Sequence, residues 1–525
     1  MQLDALIKDM PITLARGDSA VALTGLTDDS RSVQSGGLFI ARPAPGKDAD
    51  SDAMRFVPSA IEAGAAALLL PGGNDDAFAG LPDGVAVAVA KPGVVVDQRL
   101  CGRLAERFYG HPSEKLKLIG VTGTNGKTTT VTLTKQLLAS AGHTCGLIGT
   151  VELDTGSSGG PQPATLTTPG AIELSRLLAE MVANGCTHCV MEVSSHALHQ
   201  GRADHLRFSA AAFTNLTQDH LDYHGSMPQY ADAKAILFEQ LEEDAFAILN
   251  GDDMWSARMA RGCRASVAFS AVLKPDGELP PDAIGRRRCC VRPIKLTAAS
   301  SNAEFHGRLD HFTATVPMPG LHNLSNALQA IALAYVTADI TPEQLKQGIE
   351  SAKPVPGRLE PVGPDWPQVS SPKPQAQFPT VLVDYAHTPD ALQNVGKALR
   401  DLTKGKLITV FGCGGDRDRA KRPLMAQAAQ QYADVVVLTS DNPRTEDPRQ
   451  ILDDAAAGFD ASSGKPTHTM MDRAEAIRVA INLAAENDTV LIAGKGHEDY
   501  QILGTEKLHF DDREQAAVAL KAKCG

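Results

Sequence analysis

The residues whose types and spacing most clearly predict chemistry form one run, Val121-Thr-Gly-Thr-Asn-Gly-Lys-Thr-Thr-Thr130. A strand pattern precedes the run and a helix pattern follows it. In such a strand–loop–helix the glycines let backbone N–H groups face phosphate oxygens, and the helix N-terminus adds a favourable field. Lys127 is expected to reach the terminal phosphates of a nucleotide, and the Thr128 hydroxyl to hold magnesium. The alternative is a plain glycine turn, because Val121 stands where the general nucleotide-binding pattern has its first glycine.

The overall composition restricts the classes of partner. The chain has 525 residues, and 50 Lys and Arg against 62 Asp and Glu give a net charge of −12. The negative charge argues against a general nucleic-acid or anionic-membrane binder, since both need a basic surface. The sequence has neither an apolar run of membrane-spanning length nor a basic, apolar leader. We therefore expect a cytoplasmic protein that binds small molecules. We also expect a monomer, although nothing in the composition determines the oligomeric state.

The cysteines predict buried structural thiols. The chain contains nine, an odd number spread over a long sequence, which does not indicate a disulfide framework. Cys186-Thr-His-Cys189 has the spacing of a redox or zinc motif, but no second pair completes a four-sulfur site. The motif leads directly into an apolar strand pattern, which favours burial of its thiols.

The elements that must position the loop alternate between short apolar runs and longer amphipathic ones, a pattern typical of parallel sheets flanked by helices. Residues 263–317 are less regular and predict short strands without chemistry. A turn signal at residues 91–93 and a Pro-rich region from residue 353 to residue 374 divide the chain. We expect three α/β domains, at residues 1–95, 96–356 and 357–525. The predicted strands cover residues 37–40, 84–90, 116–121, 189–193, 381–383, 407–411, 435–438 and 490–493, and the predicted helices cover residues 56–64, 96–109 and 131–141.

Further motifs occur along the chain: Thr167-Thr-Pro169, Met191-Glu-Val-Ser-Ser-His196, Asp219-His-Leu-Asp-Tyr-His224, Lys234, His322-Asn-Leu-Ser-Asn326, Gly357-Arg-Leu-Glu360 and Asp384-Tyr-Ala-His387. In this order, and with the shortened phosphate loop, they resemble the Mur ligases and the related folylpolyglutamate synthetases. The resemblance implies an α/β fold of three domains: an N-terminal UDP-binding domain, a central P-loop ATPase domain with a parallel sheet, and a C-terminal Rossmann-like domain. It also implies ATP-dependent amide formation through an acyl phosphate, with ATP and Mg²⁺ as cofactors.

The resemblance further implies the catalytic and metal-binding residues. Lys127 and two magnesium ions would neutralise the reacting anions. Thr128 and Glu192 match the ligands of the first ion, whereas His220 and Lys234 match positions that serve the second. In this family the lysine is carbamylated, which makes Lys234 an expected N6-carboxylysine. The alternatives are a satisfied polar group at a strand end for Glu192, an ordinary loop histidine for His220 and an exposed helical lysine for Lys234.

The ATP contacts that the resemblance implies comprise the loop and a second set for adenine and ribose. Helix capping is the alternative for the two asparagines of the second set, which lie three residues apart near a helix start. The full set is Gly123, Thr124, Asn125, Gly126, Lys127, Thr128, Thr129, Asn323, Asn326, Arg358, Asp384 and His387.

The implied contacts to a UDP-linked muramoyl dipeptide lie in the first two domains. A surface turn is the alternative for Asp29-Ser-Arg31, and extra residues at 41–45 make the local match uncertain. The contacts are Asp28, Ser30, Lys47, Asp48, Ala49, Thr167, Thr168, Ser194, Gln200 and Arg202.

The identity of the added amino acid depends most on Asp441-Asn-Pro-Arg444. This motif resembles that of family members which add meso-diaminopimelate, whose far end carries a carboxylate as well as an amine. Arg444 would bind that carboxylate and repel the ammonium of lysine. The implied set is Arg417, Asp441, Asn442, Pro443, Arg444, Gly494 and Glu498.

The resemblance therefore implies ligation of meso-diaminopimelate to the D-Glu γ-carboxylate of UDP-N-acetylmuramoyl-L-alanyl-D-glutamate. The alternatives are addition of L-lysine, folate polyglutamylation, or a nucleotide-gated binding protein without ligase activity. A surface salt bridge after a proline turn is the alternative for Arg444.

Overall fold

The computed structural model describes residues 1–43, 54–72, 80–275, 288–307, 310–367 and 378–524. The predicted contacts Lys47, Asp48 and Ala49 lie outside these ranges. The described chain packs as two units, the first comprising Met1–Thr124, Gly142–Leu249 and Met254–Val267, the second Asn125–Ala141, Asn250–Asp253 and Ala268–Gly525. The three-domain boundaries stay a prediction.

The α-helices of the described chain follow the amphipathic runs. They are α1 (Leu3–Ile7), α2 (Val57–Glu62), α3 (Gln98–Phe108), α4 (Pro112–Lys115), α5 (Lys127–Ser140), α6 (Ala171–Ala183), α7 (Ser195–His199), α8 (Leu221–His224), α9 (Met227–Glu239), α10 (Ser256–Ala260), α11 (Leu321–Thr337), α12 (Pro342–Glu350), α13 (Pro389–Leu402), α14 (Lys421–Tyr432), α15 (Pro448–Ala456), α16 (Arg473–Leu483) and α17 (Asp512–Cys524).

The buried strands follow the short apolar runs, whereas strands such as β9 and β24 are polar and exposed. They are β1 (Ile12–Arg16), β2 (Leu26–Thr27), β3 (Leu38–Ile40), β4 (Ala67–Leu70), β5 (Ala86–Ala90), β6 (Lys117–Thr122), β7 (Cys145–Ile148), β8 (Glu152–Asp154), β9 (Gln162–Pro163), β10 (His188–Glu192), β11 (Ala210–Phe213), β12 (Phe246–Asn250), β13 (Ser266–Val272), β14 (Arg288–Leu296), β15 (Ser301–Gly307), β16 (Asp310–Val316), β17 (Glu360–Pro361), β18 (Thr380–Asp384), β19 (Leu407–Cys413), β20 (Val435–Ser440), β21 (Thr467–Met470), β22 (Thr489–Ala493), β23 (Tyr500–Leu503) and β24 (Glu506–His509).

The first unit contains two stretches of sheet. The N-terminal sheet has the order β1-β5-β4-β3-β2, in which only β1 pairs in the antiparallel sense. The other stretch has the order β12-β11-β6-β10-β7-β8-β9, and its strands from β12 to β7 are parallel. All residues of β10 and β11 are buried, as expected when helices cover both faces of a parallel sheet.

The second unit contains the C-terminal sheet, order β17-β18-β22-β19-β20-β21, in which every pair except β17–β18 is parallel. Two apolar clusters pack on it, one of them led by Leu382, Phe411 and Leu438. Residues 263–317, for which the sequence predicts short strands, contain β13 to β16, and β14, β15 and β16 pair in the antiparallel sense.

The described cysteines match the expectation of thiols that form no disulfide. Eight are free, and all of them except Cys263 are buried. Burial raises the pKa of Cys289 to about 12, which keeps that thiol protonated. No helix of the described residues is long and apolar enough to cross a membrane.

Candidate active site

Three parallel strands of the first unit end where predicted phosphate and metal segments begin. β6 lies between β10 and β11. Gly123 follows β6, Glu192 is the last residue of β10, and His220 lies in the loop after β11. Parallel strands present their carboxyl ends at one edge, where α/β folds bind ligands. Motifs that are distant in sequence therefore begin at one edge of one sheet.

Two glycines of the phosphate loop stand where no side chain fits. Gly123 has φ +151°, and a Cβ there would collide with Thr214 Oγ1. Gly126 has φ +87°, and a Cβ there would collide with Asn326 Oδ1. Helix α5 begins directly after Gly126, and no side chain caps it. The backbone thus approaches its neighbours closely, as a phosphate-binding loop requires.

Glu192 is completely buried and held in a fixed orientation. Its Oε1 accepts a hydrogen bond from Thr150 N at 2.8 Å, and its Oε2 accepts one from the Thr150 hydroxyl at 3.0 Å. The same hydroxyl lies 3.0 Å from Thr167 Oγ1. The predicted metal ligand Glu192 and the predicted substrate contact Thr167 therefore share one partner.

Lys234 lies inside the protein, so the alternative of an exposed helical lysine is wrong. Its side chain is 1% exposed on α9. Nζ donates to the Gly123 carbonyl at 2.8 Å and lies 4.6 Å from the centre of the Tyr230 ring. Small alanine neighbours on the helix concealed this burial in the sequence.

His220 is exposed and has an unusual backbone conformation. Its φ is +53°, and its side chain is 49% exposed. Nε2 lies 3.4 Å from Asp219 Oδ2, and the ring packs edge-on against His196 at 4.8 Å. Burial and the nearby His220 lower the pKa of His196, which therefore stays neutral near pH 7.

The predicted metal ligands differ in how well their donor atoms suit Mg²⁺. Among the described residues, no group of three or more His, Cys, Asp or Glu could hold a metal ion. The carboxylate of Glu192 and the hydroxyl of Thr128 are the hard oxygen donors that Mg²⁺ prefers. The ammonium of Lys234 would repel a cation, whereas a carbamate at the same atom would supply an anionic oxygen. These donor types suit Mg²⁺ when Lys234 is carbamylated, and the assignment of the residues as metal ligands stays a prediction.

Four of the predicted sugar-peptide contacts form one hydrogen-bonded group. Thr168 Oγ1 accepts from Ser194 N at 3.0 Å, and Ser194 caps α7. Arg202 donates to the Thr168 carbonyl at 2.9 Å and to Gln200 Oε1 at 3.0 Å. Burial, and to a lesser extent the nearby Arg42, lowers the pKa of Arg202.

The N-terminal candidates are held by contacts that the sequence did not indicate. Asp28 Oδ2 accepts from Arg42 Nε at 2.7 Å, and Gln98 donates to the same oxygen at 3.4 Å. Ser30 begins a single 3-10 turn capped by Asp29, whose carboxylate also pairs with Arg31. This turn matches the alternative of a surface turn, and the nucleotide contacts of Asp28 and Ser30 stay predictions.

In the second unit, Asn323 and Asn326 lie on α11, which packs against the phosphate-loop helix α5. The side chain of Asn323 donates to the Pro319 carbonyl at 2.9 Å, and Asn326 donates to Asn323 Oδ1 at 3.4 Å. No side chain caps α11, so the alternative of helix capping is wrong. Asn326 instead lies against Gly126 of the loop.

Arg358 lies just before β17, Asp384 is the last residue of β18, and His387 follows β18. Arg358 stacks 4.8 Å from the centre of the Tyr385 ring, and its guanidinium lies 3.5 Å from Thr128 Oγ1. Asp384 accepts from Leu359 N and Ala386 N, both at 2.8 Å, and its burial raises the pKa of that carboxyl. His387 is exposed and lies 2.8 Å from the Tyr385 carbonyl oxygen. A ribose contact of Asp384 would use the remaining lone pairs of its oxygens.

The predicted amino-acid contacts gather at the carboxyl edge of the C-terminal sheet. The loops after β19, β20 and β22 contain them, and these strands are parallel neighbours. Gly415 N donates to the Asn442 carbonyl at 2.9 Å, and Arg444 donates to the Gly415 carbonyl at 2.8 Å. A Cβ at Gly415 would collide with the Pro443 carbonyl oxygen, so glycine is needed where the loops meet.

Arg444 is half-buried with φ +52°. Within the described residues its side chain donates to backbone carbonyls and pairs with no carboxylate, so the alternative of a surface salt bridge is wrong. Arg417 is exposed and donates to the Asp416 carbonyl at 3.1 Å. Both guanidinium groups therefore lie on the two joined loops.

Comparisons with known proteins identify the family. The model of the Mur ligase middle domain matches residues 121–334, and the model of the Mur ligase glutamate ligase domain matches residues 371–496. The chain belongs to the Mur ligase family. It is 45% identical over 527 residues to the UDP-N-acetylmuramoyl-L-alanyl-D-glutamate--2,6-diaminopimelate ligase of Parasynechococcus marenigrum, with 99% of each chain covered.

Two further comparisons extend over the whole length of this Mur ligase. The ligase of the same name from Synechococcus elongatus is 43% identical over 530 residues, with 99% of each chain covered. A solved structure of a UDP-N-acetylmuramoyl-L-alanyl-D-glutamate--2,6-diaminopimelate ligase matches with a TM-score of 0.68 and 30% identity, covering 100% of this chain and 99% of the other. The predicted α/β fold of the Mur ligases is confirmed.

Sequence reasoning missed two polar residues that contact predicted site residues of this Mur ligase. Arg42 pairs with Asp28 at 2.7 Å, and Lys495 lies 3.2 Å from Asp441. The only available signal for Lys495 was its position inside Gly494-Lys-Gly-His-Glu498, between two predicted contacts. Nothing in the sequence pairs Arg42 with Asp28.

Proposed function

We propose that this Mur ligase joins meso-diaminopimelate to the D-Glu γ-carboxylate of UDP-N-acetylmuramoyl-L-alanyl-D-glutamate, with ATP converted to ADP and phosphate. The names of its full-length relatives support this assignment. A ligase that consumes ATP and a nucleotide-linked cell-wall precursor would work in the cytoplasm.

The observation that carries the proposal is that Arg444 and Glu498, which have opposite charges, both lie at the carboxyl edge of the C-terminal sheet. Asn442 connects them: its carbonyl oxygen lies 3.5 Å from the Arg444 guanidinium, and its side chain donates to Glu498 Oε2 at 3.1 Å. A cation beside an anion is complementary to a ligand end that has both a carboxylate and an ammonium. The far end of meso-diaminopimelate has both groups, whereas the far end of lysine has only an ammonium.

The proposed chemistry has two balanced steps. A γ-carboxylate oxygen attacks the γ-phosphorus of ATP, the bond to the bridging oxygen breaks, and ADP leaves. The amine nitrogen of diaminopimelate then attacks the acyl carbon, the bond to the phosphate oxygen breaks, and phosphate leaves while the nitrogen loses a proton. The first step brings two anions together and the second releases an anion, so cationic groups must offset the negative charge.

The residues of the phosphate loop support the first step. Lys127 at the start of α5 would hold the terminal phosphates, and the guanidinium of Arg358 lies beside the Thr128 hydroxyl. Bound Mg²⁺ would supply further neutralisation of the phosphate charge. Thr128 and Glu192 would hold one ion, and His220 with carbamylated Lys234 would serve a second.

Carbamylation of Lys234 is supported by its burial. Removing an ammonium from water is costly, and the neutral amine is the form that reacts with carbon dioxide. The amine attacks the carbon of CO₂ and loses one proton, which yields an anionic carbamate. The modified side chain would then bind a cation instead of repelling it.

The decisive experiment measures phosphate release from ATP in the presence of the UDP-linked dipeptide. Release that depends on meso-diaminopimelate and is much weaker with L-lysine supports the proposal. Preference for lysine would support ligase activity but contradict meso-diaminopimelate as the substrate. Phosphate release without any amine would indicate a protein that only cycles ATP.

Charge reversal at Arg444 tests the specificity. We expect R444E to lower kcat/KM for meso-diaminopimelate by about 100-fold or more, because it replaces a charge-assisted partner with a repelling one. Activity with lysine should change far less. Arg449, exposed on α15 of the same domain, provides the control variant R449E. Equal losses with both amino acids would contradict the role of Arg444.

A further inference from the structure

Lys495 is a fully buried cation that touches three of the residues predicted to bind the amino acid. Its side chain is 0% exposed. Nζ donates to Asn442 Oδ1 at 3.0 Å and to the Tyr500 carbonyl at 2.6 Å. It also lies 3.2 Å from Asp441 Oδ1 and 3.8 Å from Glu498 Oε2. Since no surface of Lys495 is open, it acts through these neighbours.

The Asn442 side chain has a defined polarity in this arrangement. Its Oδ1 accepts from Lys495 Nζ and from Ile502 N at 2.9 Å. An ammonium and a backbone N–H are donors only, so both require an oxygen at this position. The amide nitrogen of Asn442 must then face the other way, where it donates to Glu498 Oε2 at 3.1 Å.

Lys495 also balances the charge of two carboxylates. Asp441 is buried, and although burial opposes it, Lys495 and Arg473 lower the pKa of Asp441. Burial and the charge of Asp441 raise the pKa of Glu498, while Lys495 and Asn442 act in the opposite direction. Removal of the Lys495 charge would therefore favour a neutral, displaced Glu498.

Glu498 is the member of this group that a ligand can reach. Its side chain is 18% exposed, whereas that of Lys495 is closed off. Its Oε2 is occupied by Asn442, and within the described residues no hydrogen bond to its Oε1 is found. An ionised carboxylate with one oxygen available is suited to a substrate ammonium, and Arg444 on the neighbouring loop is suited to the carboxylate of the same substrate end.

We propose that Lys495 is a positioning residue which, through Asn442 and Asp441, keeps Glu498 ionised and oriented to accept the far ammonium group of the incoming diamino acid. This inference rests on the proposed function. It assigns Lys495 no contact with the substrate, and it makes Asn442 and Asp441 parts of the support rather than direct ligands of that ammonium.

The test compares two amino acids that differ only in the far ammonium group. K495M keeps a side chain of similar length without the charge. We expect kcat/KM for meso-diaminopimelate to fall about 30-fold, mainly through KM, as for loss of one hydrogen bond to a charged group. With 2-aminopimelate, which lacks the far amine, kcat/KM should stay within about threefold, because no ammonium needs Glu498. The KM values for ATP and the UDP-linked dipeptide should not change.

The matched control is Lys507. It is exposed, and its ammonium lies 3.7 Å from the centre of the Tyr500 ring, so it shares a neighbour with Lys495. K507M should leave the ratio of the two kcat/KM values as in the unmodified enzyme. Equal losses with both amino acids in K495M would indicate a merely structural role and overturn the inference.

A second variant keeps the inference testable where K495M folds poorly. The double variant K495M/E498Q removes one cation and one carboxylate, so the net charge of the buried group is retained. If Lys495 acts through Glu498, the double variant should show the same substrate ratio as E498Q alone. Multiplied losses would overturn the inference. If the unmodified enzyme turns over neither amino acid, the proposed function fails first, whereas turnover with an unchanged ratio in K495M contradicts only the role of Lys495.

Discussion

Three lysines of this Mur ligase differ in their surroundings and therefore in what they can do. Lys127 is half-buried at the start of α5, and its flexible side chain can follow a phosphate group. Lys234 and Lys495 are 1% and 0% exposed, respectively. Lys234 lies beside the Gly123 carbonyl and the Tyr230 ring. Lys495 has two carboxylates as neighbours, Asp441 and Glu498.

Replacement of Lys127 tests the phosphate-loop assignment at the level of one side chain. We expect K127A to lower kcat for phosphate release by about 10²–10³-fold, because one preorganised cation at the transferred phosphate is lost. K135A, in the same helix, is the matched control and should retain activity. Near-normal turnover of K127A under saturating ATP would show that this loop does not hold the reacting phosphates.

The sequence predicted residue types at the site better than their partners. The phosphate loop, Glu192 and Arg444 could be singled out because their motifs prescribe a chemistry. The burial of Lys234 could not be predicted, because it depends on where α9 packs and its alanine neighbours give no strong hydrophobic periodicity. The pairing of Arg42 with Asp28 joins segments on either side of a strand, and local sequence does not determine such contacts.

At the level of elements, periodicity predicted the strands and the helices better than their ends. The predicted helix 131–141 begins at Lys127 in the structure, because hydroxyl residues in its first turn concealed the start. The predicted strands at 381–383, 407–411, 435–438 and 490–493 are the parallel neighbours β18, β19, β20 and β22. Their order in the sheet, β18-β22-β19-β20, is set by tertiary packing and could not be predicted from the sequence alone.

A buried ion pair joins the starts of two helices to this sheet. Arg473, the first residue of α16, donates twice to Asp512 of α17, with both distances 2.7 Å. It also donates to the Ala493 carbonyl at the end of β22, and both side chains are 0% exposed. This pair therefore holds α16 and α17 against the edge that carries the amino-acid contacts.

Breaking this pair should destabilise the C-terminal sheet region. We expect R473M to lower the free energy of unfolding by about 3–5 kcal/mol, because it leaves the buried carboxylate of Asp512 without its partner. Urea denaturation followed by circular dichroism measures the change. R478M, on the same helix with an exposed Glu475 partner, is the control and should unfold as the unmodified protein does. Equal stability of both variants would contradict a structural role of the pair.

At the level of the whole molecule, the net charge of −12 must be reconciled with anionic ligands. ATP, a UDP-linked peptide and a dicarboxylic amino acid would all be repelled by a uniformly negative surface. Single cations at fixed places resolve this conflict. Lys127 lies at the start of α5, Arg202 is held by the Thr168 carbonyl, and Arg444 is held by the Gly415 carbonyl. Local cations thus determine where each anion binds.

The stabilisation of the folded protein by a bound ATP analogue tests whether Lys127 and Arg444 bind separate ligands. A non-hydrolysable ATP analogue at about 100 times its Kd should stabilise the native protein by about 2.7 kcal/mol, since it binds only the folded state. Differential scanning fluorimetry should show this stabilisation as a rise in Tm, both for the unmodified protein and for R444E, which retains the phosphate loop. K127A should lose most of the rise, because the terminal phosphates lose their main cation. If R444E also loses it, or K127A retains it in full, then the assignment of ATP to the phosphate loop and of the amino acid to the Arg444 loop is wrong.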